Sequence, residues 1–401
     1  MSLDLTGTAV QIDGMAVEMR ARQDHHQRRL HAALEAIWAF PLDEYAEKRE
    51  QGGGDAAWNA PAVLESPGAR HPEPPMPADF SVVAVDGSHI DVDRHLAARC
   101  FLINTGYAAL AYGSRPEAYL GSAPRLYARE DEMVVRDPDS ARQQAIEGAV
   151  LGAKRTVEEI RKLVEIVRGL SGEVPTLALL DGSLVMLGLV GSLNQDFVLR
   201  ELVEEGFARA LEELRELAEQ RPLAVASYIS LPRYSEVVRA LRLMACSYAD
   251  AEAYRCGMTG GGEPCDRCVG GVLDREIFSR LLEPGERSAM FATSSAAVER
   301  YYMGNEIDFF YVNTGEEIGR VEVPAWVAED ESSLALAHGL IVDQCRRGHG
   351  YPVALMEAHE QAAVTGSDRR YFVDLVERAL QGRDLPVYTS EKARSKRMRW
   401  L

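Results

Sequence analysis

The sequence contains no long uncharged run of apolar residues. Its most apolar stretches, Leu177–Leu180 and Val185–Val190, are too short or too interrupted to cross a bilayer. The first residues are acidic and polar rather than basic and then apolar, which is not the pattern of a secretory signal. We therefore expect a protein of the cytoplasm.

Basic residues are in deficit, because 44 Lys and Arg stand against 62 Asp and Glu and give a net charge of −18. A protein that merely coats DNA is usually basic, since neutralising phosphates drives that kind of binding. The excess of acid argues against a DNA coat but not against a nuclease, because a metal site needs carboxylates and its cations change the local field. It also favours a basic protein partner.

Cysteine is scarce, and in a cytosolic protein the six cysteines are expected to be reduced. Four of them, Cys246, Cys256, Cys265 and Cys268, fall close together among glycines and a proline. A C-x-x-C pair with one or two further cysteines suits a structural zinc ion. The spacing is not that of a standard finger, so structural zinc, free thiols in a loop and an iron–sulfur cluster all stay open.

The composition, with 46% hydrophobic and 26% charged residues over 401 positions, suits a globular chain of one large or two modest domains. We predict an N-terminal helix with a Gly- and Pro-rich linker over 1–78, a catalytic domain over 79–385 and a basic tail over 386–401. The cysteine-bearing segment 246–270 is predicted as an insertion, a possible zinc knuckle, in the catalytic domain.

Strands and helices alternate along the predicted catalytic domain. Continuous apolar runs at Phe80–Val85 and Leu177–Leu180 are typical of strands that are buried on both faces. Between them, apolar residues at helical spacing predict a long helix from about Ser140 to Leu170. This alternation indicates an α/β sandwich.

Both buried strands end in the same tripeptide, Asp-Gly-Ser, at 86–88 and again at 181–183. One reading is that the tripeptide is only a turn after a strand. If the strands are parallel neighbours, however, Asp86 and Asp181 converge where α/β folds keep their ligand crevices. Two such carboxylates repel each other unless a cation joins them, and a divalent metal with oxygen ligands resolves the repulsion.

A third carboxylate is expected from the helix between the two strands. With about 3.3 Å per residue in the strand and about 1.5 Å per residue in the helix, Glu158 or Glu159 comes level with Asp181. Glu147 lies higher unless the helix bends near Gly148 or Gly152.

The chain resembles the NurA nucleases. The order and spacing of six motifs over roughly residues 80–380 carry the resemblance: Val-Ala-Val-Asp-Gly-Ser at 83–88, Ala-Leu-Leu-Asp-Gly-Ser-Leu at 178–184, Tyr-Ile-Ser-Leu-Pro-Arg at 228–233, Pro-Gly-Glu-Arg-Ser-Ala-Met-Phe at 284–291, Phe-Phe-Tyr-Val-Asn at 309–313 and Tyr-Pro-Val-Ala-Leu-Met-Glu-Ala-His at 351–359.

The resemblance implies an RNase H-like mixed sheet flanked by helices and a Mn²⁺- or Mg²⁺-dependent nuclease. It further implies 5′–3′ exonuclease and endonuclease activity on single- and double-stranded DNA, and a homodimer that works with a hexameric HerA-type translocase in DNA end resection and repair.

The metal ligands that the resemblance implies are Asp86, Asp181 and His359, with a glutamate of the intervening helix. An arginine shortly before a glutamate early in that helix looks like Arg142 and Glu147, so the motif selects Glu147 where the geometry selects Glu158 or Glu159. We give the motif slight preference, because two nearby glycines allow a bend.

Other residues have expected roles near the phosphate. A neutral His359 can bind metal or accept a proton from the attacking water, and Tyr351 can position a phosphate. Arg233, Arg239 and Arg287 are candidates for phosphate contacts. Two cations about 3.5–4 Å apart would clamp the scissile phosphate.

Two other functions compete with the nuclease. Actin-like and sugar-kinase-like ATPases also carry two strand-terminal phosphate loops, but those loops usually place a residue between the aspartate and the glycine. A non-catalytic subunit of a DNA-processing complex would have no need for the pair Asp86 and Asp181. The sequence has no Walker lysine motif, so the protein is not expected to be its own motor.

Overall fold

The computed structural model describes residues 4–51, 60–91, 98–186, 195–245 and 269–385. By its internal contacts the chain divides into two compact units. Unit 1 comprises Met1–Glu73, Ser230–Ala296 and Asp308–Val321, and unit 2 comprises Pro74–Ile229, Ala297–Ile307 and Glu322–Leu401. Within the described ranges, no helix is long and apolar enough to cross a membrane.

Unit 1 combines helices with short antiparallel strands. Its helices are α1 (Leu5–Trp38), α2 (Leu42–Gln51), α6 (Glu236–Ala245) and α7 (Asp274–Leu281), and its strands are β1 (Ala62–Val63), β2 (Arg70–His71), β10 (Arg287–Ser288) and β11 (Phe291–Ala292). Strands β12 (Ile307–Asn313) and β13 (Ile318–Pro324) lie mostly in this unit. Its core gathers Leu30, Ala33 and Ile37 from α1 with Phe278 and Phe291.

The N-terminal part of unit 1 differs in detail from the sequence prediction. The single N-terminal helix predicted within residues 1–78 is two helices, α1 and α2, and α1 begins at Leu5. Asp4 caps its first turn by accepting a hydrogen bond from the backbone N–H of Gly7. The last turns of α1 are buried, whereas its N-terminal half is exposed.

Unit 2 is built on a mixed sheet in the order β9-β8-β3-β4-β5. The strands are β3 (Phe80–Ile90), β4 (Phe101–Tyr112), β5 (Glu117–Tyr127), β8 (Thr176–Asp181) and β9 (Leu223–Ile229). β3, β4 and β5 form an antiparallel meander, and β8 and β9 add in parallel to the other side of β3. The predicted mixed sheet flanked by helices is confirmed.

The remaining elements of unit 2 surround this sheet. They are the small ladder β6 (Val134–Arg136) and β7 (Gln143–Ala145) and the helices α3 (Gly148–Gly169), α4 (Asp196–Leu199), α5 (Arg209–Ala218), α8 (Ala296–Tyr301), α9 (Ala325–Ala328), α10 (Glu331–Arg347), α11 (Val353–Ala362) and α12 (Gly366–Gln381). A π-helical segment, Arg200–Ala208, joins α4 and α5 into one continuous helix.

Two predicted boundaries in unit 2 were wrong. β3 does not end before Asp86 but pairs with β4 as far as Ile90. The long helix begins at Gly148 instead of near Ser140, because the residues before it form a turn in which Asp137 accepts hydrogen bonds from Ser140 and from Arg142. Residues 143–145 consequently form β7 before the helix starts.

Candidate active site

Asp86 and Asp181 lie side by side at one end of the sheet in unit 2. β3 and β8 are parallel neighbours, with Val85 in register with Leu180, so the next residue of each strand is an aspartate. Adjacent strands are about 4.8 Å apart. Asp86 and Asp181 are therefore adjacent, as expected for parallel neighbouring strands.

The two aspartates repel each other in a partly dehydrated environment. Burial by the surrounding protein raises the pKa of Asp181, and the negative charge of Asp86 raises it further. A hydrogen bond from the Tyr351 hydroxyl acts in the opposite direction and lowers this pKa. Positive charge beside the pair would relieve this repulsion.

Glu159 of α3 supplies the third carboxylate. Its side chain is only 8% exposed and forms an ion pair with Arg155, whose Nε lies 3.0 Å from Glu159 Oε1. Burial raises the pKa of Glu159 to about 7; Arg155 opposes that shift, and Asp86 and Asp181 add to it. An ionised Glu159 therefore needs more positive charge than Arg155 provides.

Gly87 is the reason that Glu159 reaches the aspartates. Neighbouring residues of a strand point to opposite faces of the sheet, so Gly87 faces α3 when Asp86 faces away from it. A Cβ atom at position 87 would lie 2.3 Å from Glu159 Oε1 and 2.9 Å from Arg155 Cγ. The missing side chain is the space in which the Glu159 carboxylate lies.

His359 and Tyr351 approach from the opposite face of the sheet. His359, on α11, places Nδ1 2.7 Å from Asp86 Oδ2, and its side chain is 71% exposed. The Tyr351 hydroxyl donates to Asp181 Oδ1 at 2.7 Å, and the Tyr351 ring packs edge-on against Tyr228. Each aspartate is thus held by one side chain from α11 or the residues just before it.

Glu147, the residue preferred as the helix ligand, lies away from the two aspartates. Glu147 precedes the first turn of α3, is 58% exposed and pairs with Arg99 at 3.5 Å. The 11 residues from Gly148 to Glu159 span roughly 16 Å of helix, so the start of α3 is far from the carboxylate cluster. The alternative Glu158 pairs instead with Arg125, Lys154 and Arg161.

The arginines proposed for phosphate contacts lie in unit 1, whereas the carboxylate cluster lies in unit 2. Arg287 is buried, pairs with Glu65 at 3.7 Å and donates to the carbonyl of Ser288, so it holds the interior together instead of facing a ligand. Arg233 is exposed and Arg239 is half-buried.

Cys246, Cys256, Cys265 and Cys268 lie outside the described residues, and their zinc site stays a prediction.

Two residues that matter to the site were missed at the sequence level. Arg155 was not predicted, although its position four residues before Glu159 on α3 is the spacing of helical ion pairs. The role of Gly87 as space for Glu159 had no local signal, because a glycine after an aspartate is also the commonest turn pattern.

The donor set of Asp86, Glu159, Asp181 and His359 fits a hard divalent cation such as Mn²⁺ or Mg²⁺, which prefers carboxylate oxygen and accepts imidazole nitrogen. Among the described residues, no group of three His, Cys, Asp or Glu side chains already has the geometry of a metal shell. Asp86 is bonded to His359 and Asp181 to Tyr351, so a cation must replace these contacts to gather the ligands.

The family of the chain is identified by its sequence. The sequence profile of the NurA domain matches residues 80–364. A crystal structure of the NurA nuclease from Sulfolobus solfataricus is similar at a TM-score of 0.48 and 12% identity, covering 96% of this chain and 98% of that chain. NurA bound to dAMP and manganese is similar at a TM-score of 0.38 and 15% identity, covering 87% and 97% respectively. No curated protein sequence matches the chain.

Proposed function

The chain belongs to the NurA family, and from this premise we propose that it is a divalent-metal-dependent deoxyribonuclease. The observation that carries the proposal is the convergence of Asp86, Glu159 and Asp181, in which a buried carboxylate has its pKa raised to about 7 by burial and by its two neighbours. An assembly subunit without activity gains nothing from such a destabilising cluster.

We propose Asp86, Glu159, Asp181 and His359 as the ligands of Mn²⁺ or Mg²⁺. When bound, the cation polarises the phosphodiester and lowers the pKa of water. Arg155 keeps the Glu159 carboxylate oriented between α3 and β3. Tyr351 fixes the rotation of the Asp181 carboxylate by donating its hydroxyl hydrogen to Oδ1.

As an alternative to binding the metal, His359 is placed to accept a proton. Donation from Nδ1–H to Asp86 leaves a lone pair on Nε2, and the exposed imidazole is open to water. In the hydrolysis, a water oxygen bonds to phosphorus and the ester P–O bond breaks. The proton of the water passes to Nε2, and the leaving sugar oxygen takes up a proton from solvent.

The finer part of the proposal follows from the family resemblance. We propose a cytoplasmic homodimer with 5′–3′ exonuclease and endonuclease activity on single- and double-stranded DNA, which acts in DNA end resection and repair with a HerA-type hexameric translocase. The net charge of −18 supports a basic docking surface on that partner.

The test is a nuclease assay on end-labelled linear DNA with Mn²⁺, comparing Glu159→Gln with Glu147→Gln. Both variants remove one charge from the same helix region, but only Glu159 touches the carboxylate cluster. We expect Glu159→Gln to lose activity by about 100-fold or more and Glu147→Gln to retain it. Asp86→Asn, Asp181→Asn and a chelator are expected to abolish cleavage.

Equal cleavage by Glu159→Gln and the wild-type protein would refute the site. If the wild-type protein fails to cut any DNA, with and without a HerA-type translocase, the nuclease itself is refuted and the non-catalytic subunit takes its place.

A further inference from the structure

A second concave surface lies in unit 2, along the half of α3 that follows Glu159. It is a trough of about 380 Å³ between this helix and strands β3, β4 and β5. The residues that matter to it are Tyr107, Ala109, Ala111, Tyr119, Lys162 and Glu165. Its volume falls within the range of pockets that hold small organic ligands.

The trough exists because the strands present small side chains to this face. Tyr107, Ala109 and Ala111 lie two residues apart on β4, so their side chains share one face of the sheet. The two alanines form the floor of the trough beside α3. Gly121 of β5 leaves room for the Tyr107 ring to lie flat against the sheet, because a Cβ atom there would lie 2.5 Å from the Tyr107 hydroxyl oxygen. Larger residues at these positions would have filled the trough with the protein's own side chains.

Two tyrosines form one wall of the trough. The rings of Tyr107 and Tyr119 have centroids 5.5 Å apart and an interplanar angle of 36°, and their hydroxyl oxygens are 3.4 Å apart. Tyr107 is buried, but Tyr119 is 60% exposed on the outermost strand of its sheet. Such a ring offers an open face on which a flat aromatic ligand stacks.

The charges around the trough favour an uncharged ligand. The Lys162 ammonium lies 4.9 Å from the centroid of Tyr107 and 2.8 Å from a Glu165 carboxylate oxygen, so its charge is balanced within the protein. Glu117 adds a further carboxylate to the lining. A phosphate would meet repulsion here, whereas carboxylates accept hydrogen bonds from the amino groups of an aromatic base.

The trough opens on the same face of the sheet as the Glu159 carboxylate. Tyr107 is in register with Val85, two residues before Gly87, and the ladder places Tyr119 two strands and four residues away from Gly87, beside which the Glu159 carboxylate lies. With about 4.8 Å between strands and about 3.3 Å per residue, the Cα atoms of Gly87 and Tyr119 are roughly 16 Å apart. A DNA strand crosses this distance within a few nucleotides.

We propose that this trough binds a nucleobase of the DNA strand, with Tyr119 as the stacking platform, a few nucleotides from the phosphate that is cut. The inference rests on the proposed function for the identity of its substrate. The trough contacts the base and not the phosphate backbone. Aromatic side chains stack on unpaired bases in the same way in single-strand binding proteins.

The experiment measures binding of fluorescein-labelled single-stranded DNA to the full-length protein in EDTA, so that no cleavage interferes. Tyr119→Ala is compared with Tyr119→Phe, which keeps the ring, and with Leu126→Ala. Leu126 is 51% exposed on the same strand and, by strand alternation, points to the other face. A series of oligonucleotides, each lacking one base, locates the base that stacks.

We expect Tyr119→Ala to raise Kd by about 5- to 150-fold, the range for the loss of one base–aromatic stack. Tyr119→Phe and Leu126→Ala are expected to stay within about twofold of the wild-type Kd. Removal of one particular base should weaken wild-type binding by a similar factor and have no effect on Tyr119→Ala. In cleavage, Tyr119→Ala should raise KM and leave kcat within about twofold.

Unchanged binding by Tyr119→Ala, or base removal that weakens the wild-type and Tyr119→Ala proteins equally, would overturn the proposal. The binding result can be told apart from the nuclease result. If base removal weakens binding of the wild-type protein but not of Tyr119→Ala, and no Mn²⁺-dependent cleavage occurs, the trough is supported and the nuclease is refuted. If cleavage is normal and base removal weakens both proteins equally, the nuclease is supported and the trough is refuted.

Discussion

The glycines of the two Asp-Gly-Ser elements solve different problems. Gly182 has a φ of +83°, a conformation that side-chain-bearing residues rarely adopt, and it turns the chain at the end of β8. Gly87 has no such conformation and lies inside β3, where its lack of a side chain admits the Glu159 carboxylate. The repeated tripeptide is therefore a turn in one copy and a packing device in the other.

The serines of the same elements each anchor another part of the site's surroundings. The Ser88 hydroxyl donates to the carbonyl of Ala362, at the end of α11. The Ser183 hydroxyl donates to Glu322 at 2.8 Å, and the backbone N–H of Leu184 donates to the same carboxylate. An aspartate at the site is thus followed two residues later by a hydroxyl that ties its strand to a neighbour.

Gly87→Ala is expected to abolish the nuclease while it destabilises the fold only modestly. The added methyl group would overlap Glu159 Oε1 and Arg155 Cγ, so the buried carboxylate has to leave its position. We expect a loss of activity of about 100-fold or more and a fall of about 1–3 kcal/mol in the free energy of unfolding. Cleavage rates and denaturant melts on the same preparation measure both.

Gly152→Ala is the matched control for that substitution. Gly152 lies in α3, and a Cβ atom there would meet nothing within 4 Å. Replacing a helix-interior glycine with alanine stabilises by up to about 1 kcal/mol, so this variant should be fully active and slightly more stable. An active Gly87→Ala protein would show that Glu159 does not need its present position.

At the scale of elements, the strands that carry Asp86 and Asp181 were predictable, and the rise per residue pointed to Glu158 or Glu159 on the helix between them. Buried strands have continuous apolar runs, so the aspartate that follows each run is visible in the sequence. The start of α3 was not predictable from spacing, because the side chains of Ser140 and Arg142 donate to Asp137 and close a turn before the helix. The preference for Glu147 came from its likeness to the family motif and from two glycines that allow a bend, and the structure leaves Glu147 at the N-cap of α3.

The position of α11 against the sheet could not be predicted from the local sequence either. Its closeness depends on Gly106 of β4, since a Cβ atom there would lie 2.2 Å from the backbone nitrogen of Ala362 and 2.3 Å from the carbonyl of Ala358. The Asn104 side chain donates to the carbonyls of Gln361 and Ala362 at 3.1 and 2.9 Å. These contacts join residues more than 250 positions apart, which no periodicity within either segment encodes.

Asn104→Ala is expected to lower kcat through α11. The substitution removes the Asn104 donor from the carbonyls of Gln361 and Ala362, one turn after His359, and leaves only the Ser88 hydroxyl on Ala362; it should cost about 1–3 kcal/mol of stability. We expect His359 to lose its fixed distance from Asp86 and kcat to fall about tenfold. Cleavage rates at saturating DNA, measured well below the unfolding temperature, check the effect.

Asn313→Ala separates this effect from simple destabilisation. The Asn313 side chain also donates to a carbonyl, that of Leu282 at 2.8 Å, but in unit 1. The variant should lose similar stability and keep the wild-type kcat. If both variants lower kcat equally, the role of Asn104 is stability alone.

For the molecule as a whole, the carboxylate cluster lowers the stability of the fold unless positive charge balances it. The chain already carries a net charge of −18, and Glu159 adds a charge in a site with little water beside two others. Removing a repelling charge from a functional cluster commonly stabilises a protein while it destroys the function. The thermal stability of the chain should therefore reveal the site without any measurement of activity.

Glu159→Gln is expected to raise the Tm in EDTA by a few degrees, because it removes the repulsion from Asp86 and Asp181 while Arg155, 34% exposed, keeps its contact with solvent. Mn²⁺ should raise the Tm of the wild-type protein, with about 2.7 kcal/mol of stabilisation at a concentration 100 times Kd, and raise that of Glu159→Gln far less. Glu147→Gln makes the same change of charge outside the cluster and should follow the wild-type protein in both solutions. The reverse pattern, in which Glu147→Gln alone loses the response to Mn²⁺, would return the ligand to the start of α3. A response to Mn²⁺ that survives in both variants would mean that the cation binds without a helix carboxylate.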